Sequence, residues 1–209
     1  VAFLAGVGPL SPVAAAEPPA ACSAVEVVFA RGTFEAPGVG AVGQALVDSL
    51  DARLSTPVAV YGVDYPASLD FGAAVDGVAD AAHHVEALVD ACPDTQIVLG
   101  GYSQGAAVAA YTTFDSVPPG FVLPPSLTGP MPASIAPHVA AVVLFGTPDP
   151  FFLNLVDHNA PSITVGPSYV DKTLQLCAPG DPVCQPGGFT RAAHSAYKTN
   201  GMADQAAQF

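Results

Sequence analysis

Tryptophan is absent from the 209 residues, and only five cationic side chains stand against 18 carboxylates. The missing indole argues against the flat aromatic platforms on which sugar rings stack. A formal net charge of -13 repels phosphate backbones and anionic headgroups, so a nucleic-acid partner is not expected. The same acidity also suits plain solubility. Beyond its first residues the chain lacks any run approaching the ~20 uninterrupted apolar residues of a membrane span, so no stable membrane insertion is expected. It also lacks a C-x-x-C pair and any clustered Cys/His spacing, so no metal site is expected.

What the chain does have is apolar mass: 51% of its residues are hydrophobic, enough for one sizeable core in a chain of this length. The first sixteen residues differ from the rest. Val1 to Leu10 is uncharged and apolar, and Ala14, Ala15 and Ala16 supply small residues before Glu17, the ending of a secretory signal without its basic start. Residues 1–16 are therefore read as a signal remnant and 17–209 as a single domain, secreted to the exterior or the cell envelope and monomeric. In an exported protein the four cysteines allow three pairings, and spacing alone does not choose among them. Cys177 and Cys184 bracket a short loop with Pro179, Gly180 and Pro182, while Cys22 precedes the first strand and Cys92 ends a helix. This favours Cys22 with Cys92 and Cys177 with Cys184.

Val25 to Ala30 is a short valine-rich run that suits a buried strand. Val42, Leu46, Leu50 and Leu54 recur four apart and predict a helix over 42–54, with a second strand at 58–63. The clearest helix runs from Phe71 to Cys92 and is stopped by Pro93. A strand over 96–100, an alanine-rich helix over 104–113 and a strand over 140–145 follow. Such alternation predicts an α/β fold, a three-layer α/β/α sandwich around a mostly parallel sheet. Residues 115–137 contain seven prolines and read as a long surface excursion.

Gly101-Tyr102-Ser103-Gln104-Gly105 fits G-x-S-x-G where a strand passes into a helix. A serine in so tight a turn needs small residues two positions to either side, because side chains there would collide with strand and helix. The turn also sets the hydroxyl at a helix start, whose free N–H groups can stabilise an oxyanion. A serine nucleophile needs a base, and the chain order for this elbow is Ser, acid, His. His83 and His84 lie upstream and His138 precedes the candidate acids. His158 is not dismissed by order alone. His194 is preferred because a Gly187-Gly188-Phe189 loop leads into it. Asp149, Asp157, Asp171 and Asp181 compete as the acid. Asp181 is preferred because two prolines and a disulfide would hold its carboxylate still, which is what orienting an imidazole requires. The residue after the serine, Gln104, offers one oxyanion N–H. Arg31-Gly32-Thr33 after the first strand is the best source of a second, and the Thr33 hydroxyl could add a third donor.

On these residues the chain resembles the cutinases, and more closely the exported cutinase-like esterases of mycobacteria and related actinobacteria. The likeness rests on Val28-Phe29-Ala30-Arg31-Gly32-Thr33-Phe34-Glu35, the serine elbow, Cys177-Ala178-Pro179-Gly180-Asp181-Pro182-Val183-Cys184 and His194-Ser195-Ala196-Tyr197, in that order. It implies a central five-stranded parallel sheet, a triad of Ser103, Asp181 and His194, Thr33 and Gln104 as oxyanion-hole residues, and the same two disulfides. It further implies a secreted serine esterase that needs no cofactor and cleaves esters of short to medium acyl chains, lipid or cutin-like. Deacetylation of xylan is an alternative substrate class. A catalytically idle cell-envelope binding protein is the alternative of a different kind. The Pro-rich stretch and Phe151-Phe152-Leu153 depart from the compact fungal pattern and bear on chain-length preference.

Overall fold

The computed structural model describes residues 22–209. The signal-remnant assignment for 1–16 lies outside them. Five strands form a wholly parallel sheet: β1 (Val25–Ala30), β2 (Ala59–Gly62), β3 (Gln96–Tyr102), β4 (Val139–Phe145) and β5 (Thr173–Leu176), in the order β2-β1-β3-β4-β5. Successive side chains of a strand point to opposite faces, and β1 shows the result. Val28 and Ala30 pack on one side with helices α2 (Ala74–Ala91) and α3 (Gln104–Thr112), whereas Val27 and Phe29 face α1 (Gly40–Asp51) and α6 (Met202–Gln208) on the other. A sheet buried on both faces explains why its strands read as continuous apolar runs rather than alternating ones.

The strand order reverses between β1 and β3. Crossovers there leave the sheet to opposite faces, which opens a crevice at the carboxyl ends of those two strands. The loop carrying Thr33 leaves β1 at this point, and Ser103 follows directly after β3.

Several expectations shift. The first helix runs over Gly40–Asp51, two residues earlier at its start than 42–54 and three earlier at its end. Gly38 and Gly40 adopt positive φ and turn the chain into the helix early. At the other end Arg53 and Leu54 both donate to the Leu50 carbonyl, and the Asp51 side chain accepts the Val58 N–H. The excursion over 115–137 contains no strand or α-helix, yet it is more than surface. Phe121 packs edge-on against Tyr111 and Phe114, and Met131 and Ile135 are buried in the α2/α3 core. Proline forbids regular structure but not burial. A short helix, α4 (Pro150–Val156), follows β4, and its first turn is capped by Asp149, whose side chain accepts the Phe152 N–H at 2.7 Å. The sulfurs of Cys22 and Cys92, and of Cys177 and Cys184, lie at bonding distance. The first pair ties the start of β1 to the end of α2, and the second closes the loop that carries Asp181.

Candidate active site

Ser103 occupies the sharp turn between β3 and α3 with φ 55 and ψ -119, a conformation strained for a residue with a side chain. Its neighbours at plus and minus two explain why they are glycines. A Cβ on Gly101 would lie 2.0 Å from the Gly105 carbonyl oxygen, and one on Gly105 would lie 1.9 Å from that of Ala30. Both obstacles are backbone and cannot swing aside. The turn is anchored by the Ser103 N–H, which donates to the Phe145 carbonyl at 2.9 Å.

His194 closes a single helical turn, α5 (Arg191–His194). Its Nε2 is 2.9 Å from Ser103 Oγ, and its Nδ1 is 2.9 Å from Asp181 Oδ2. A carboxylate only accepts, so Nδ1 carries the proton and Nε2 is left as the acceptor facing the serine hydroxyl. The ring is held from behind by Tyr102, whose hydroxyl donates to the His194 carbonyl at 2.5 Å and whose ring lies 5.0 Å from the imidazole.

Asp181 has no solvent exposure. Burial by itself would raise its carboxyl, but hydrogen bonds from His194, Tyr197 and the Val183 N–H outweigh that and hold it below the usual carboxylate range. Tyr197 was visible in the sequence only as part of a run, with no role assigned to it. The structure places it in the site: its hydroxyl donates to Asp181 Oδ2 at 2.5 Å and accepts the Ala178 N–H at 3.0 Å. Burial first, then the bond to Asp181, pushes the phenol well above its ordinary range, so it stays protonated as a donor. The signal available in the sequence was its position three residues after His194, near one helical turn away.

Thr33 and Gln104 meet across the crevice, with the Thr33 hydroxyl donating to Gln104 Oε1 at 3.3 Å. The Gln104 side chain is buried and donates in turn to the Ser68 carbonyl at 3.0 Å. Gln104 opens α3, where an N–H has no partner within its own helix. Among the described residues neither the Thr33 nor the Gln104 N–H has a hydrogen-bond partner.

The competing candidates are engaged elsewhere. His138 contacts the Pro93 carbonyl, His83 that of Ser126, and His84 pairs with Glu26. Asp149 caps α4, and Asp157 accepts the Asn159 N–H. Asp171 lies in a 3-10 turn at residues 167–172, and no hydrogen bond joins His158 to Ser103. Beside the Asp181 loop lies an apolar cleft of about 610 Å³, lined by Phe151, Leu155, Pro182 and Phe189 among others, with Phe189 91% exposed. Among the described residues no group of three His, Cys, Asp or Glu side chains could hold a metal ion, and no helix is long and apolar enough to cross a membrane.

A parallel sheet with helices on both faces and a serine elbow at its switch point defines the α/β-hydrolase type of fold. Within that type the chain belongs to the cutinase family, whose sequence profile matches residues 21–209. It is 47% identical to a probable carboxylesterase, Culp5, of Mycobacterium tuberculosis over 171 residues, 81% of this chain and 95% of the relative. It is 44% identical to the phospholipase Culp4 of the same organism over 209 residues, 100% of this chain and 86% of the relative. Among solved structures, a Trichoderma reesei cutinase in complex with a phosphonate inhibitor superposes with a TM-score of 0.63 at 34% identity, covering 90% of this chain and 74% of the other. The protein is a carboxylic ester hydrolase.

Proposed function

We propose that the protein is a secreted serine esterase that works through an acyl-enzyme on Ser103. The observation that carries this reading is the unbroken chain of hydrogen bonds from Ser103 to His194 to Asp181, 2.9 Å at each step, beside two backbone N–H groups that have no partner among the described residues. His194 Nε2 takes the proton from Ser103 Oγ as the oxygen bonds to the ester carbonyl carbon. The negative charge that develops on the carbonyl oxygen is met by the N–H groups of Thr33 and Gln104. As the tetrahedral centre collapses, the C–O bond to the alcohol breaks, and the His194 imidazolium returns its proton to the departing oxygen. Water then repeats the sequence on the acyl-enzyme and releases the acid. Asp181, fixed by Tyr197 and Val183, keeps the imidazole in the tautomer that accepts from serine and stabilises its cationic form.

The proposed substrates are esters of short to medium acyl chains, lipid or cutin-like, to which the apolar lining of the cleft beside the Asp181 loop is better suited than to acetylated polysaccharide. The names of the relatives, carboxylesterase and phospholipase, point the same way. Two disulfides support an oxidising, extracellular setting. The test is a stopped-flow burst of p-nitrophenol from p-nitrophenyl esters of two to twelve carbons. The reading expects a burst that vanishes in folded Ser103→Ala and rates that peak at short to medium chains. A strict preference for acetate would favour a polysaccharide deacetylase, and no burst at any length together with no labelling by a fluorophosphonate would favour an idle binding protein.

A further inference from the structure

We propose that Arg31 is a positioning residue for the oxyanion loop: its buried guanidinium clamps three backbone carbonyls from two strand ends and so fixes the direction of the Thr33 N–H. The inference rests on the reading of Thr33 and Gln104 as oxyanion donors.

Arg31 is only 4% exposed. Its Nε donates to the Glu35 carbonyl at 2.9 Å, one terminal nitrogen to that of Val63 at 3.1 Å, and the other to that of Tyr65 at 2.6 Å. The guanidinium lies 5.1 Å from the centre of the Tyr65 ring, and the Tyr65 hydroxyl donates back to the Arg31 carbonyl. No ion pair forms on it among the described residues. Burying a cation without a carboxylate is unfavourable, and what compensates it here is the set of three carbonyls, which an apolar side chain would leave without these donors. What the guanidinium supplies is a rigid planar fork that holds its acceptors in fixed directions, a constraint that neither a hydrocarbon nor the rotatable ammonium of a lysine imposes.

The loop it grips is strained. The non-glycine residues of positive φ among those described are Phe34, Ala67 and Ser103, all at this crevice, and the Phe34 N–H donates to the Ala67 carbonyl at 2.7 Å. Such conformations persist only where the surroundings over-determine them. The Glu35 carboxylate adds to the bracing, accepting the N–H of Gly32 at 2.7 Å and of Ala41 at 2.8 Å. Both neighbours of Thr33 thus have their N–H groups tied down, while its own has no partner among the described residues. A donor aimed before the charge develops needs no reorganisation during the reaction, and that is the arrangement an oxyanion hole requires.

The test compares Arg31→Met and Tyr65→Phe with Val47→Ala, a core change in α1 that lowers stability and removes none of the hydrogen bonds that brace this loop. All are assayed below their unfolding temperatures on p-nitrophenyl butyrate and its thiono analogue, whose sulfur gains little from N–H donors. For Arg31→Met the expectation is a kcat lower by about 10–100-fold with KM within about twofold, and an ester-to-thionoester rate ratio that shrinks at least about fivefold. Val47→Ala should keep both kcat and the ratio. A folded Arg31→Met with wild-type kcat, or with lowered kcat and an unchanged ratio, would overturn the proposal. Should Arg31→Met fail to fold, Tyr65→Phe deletes only the hydroxyl that holds the Arg31 carbonyl. It should shrink the same ratio, and an unchanged ratio there is equally fatal. Failure of the serine reading would look different, as an absence of both ester turnover and fluorophosphonate labelling in the wild-type protein itself.

Discussion

Replacing Tyr197 with phenylalanine removes one hydroxyl from a carboxylate that has no access to water. Asp181 receives three donors, from His194 Nδ1 at 2.9 Å, Tyr197 at 2.5 Å and the Val183 N–H at 2.8 Å. A hydrogen bond to a buried charge contributes about 1.5–3 kcal/mol, and the Ala178 N–H loses its acceptor in the same change. For a protein of this size the melting temperature should fall by roughly 3–12 °C at neutral pH. The pH dependence carries the sharper signature. Because the folded-state carboxyl is held below its unfolded value, its contribution to stability is present above the unfolded pKa of about 3.9 and is lost as pH falls through the folded value. Tyr197→Phe raises the folded value towards the ordinary one. The stability gap between wild type and variant should therefore be widest near neutrality and narrow below about pH 4. Urea titrations of both proteins between pH 3 and 8 read this directly. A gap that is absent, or constant across that range, would refute the assignment of Tyr197 as a donor to the Asp181 carboxylate.

Gly105→Ala would place a methyl group against the Ala30 carbonyl, so the variant should lose about 3 kcal/mol or more in urea titration, or fail to accumulate as folded protein. Asp181→Asn keeps the shape of the site but releases the imidazole tautomer. Its kcat on p-nitrophenyl butyrate should drop by about ten-thousand-fold with little change in KM. Loop entropy assigns about 2.4 kcal/mol to the Cys177–Cys184 link and about 4.4 kcal/mol to Cys22–Cys92, from separations of 7 and 70 residues. Paired serine substitutions should follow that order in urea stability and the reverse order in activity, because only the shorter link frames Asp181.

The elements that were legible in the sequence are those whose periodicity and boundaries coincide. The valine runs of β1 and β4 and the Pro93 stop after α2 stand out because burial on both sheet faces and the missing proline N–H leave direct marks. β5 is different: Thr173–Leu176 is four residues at the sheet edge, too short and too mixed to separate from a loop, and only its pairing with β4 makes it a strand. The elbow could be read because steric demands at Gly101 and Gly105 are local. His194 and Asp181 needed chain order and loop stiffness as well, since nothing local measures a gap of 91 residues between a serine and an imidazole. The contacts of Tyr197 and Arg31 were not legible. They are made with backbone atoms and a carboxylate that only the folded chain brings near. The Pro-rich stretch misled for a related reason, because proline count reports on backbone hydrogen bonding and is silent about where Phe121 and Met131 point.

The central claim is that Ser103 is activated by His194, and covalent capture by a fluorophosphonate tests it most directly. Peptide mapping of the intact protein after labelling should find a single adduct on Ser103, with labelling abolished in Ser103→Ala and slowed by orders of magnitude in folded His194→Ala. An adduct on any other residue, or undiminished labelling of the His194 variant, would contradict the account.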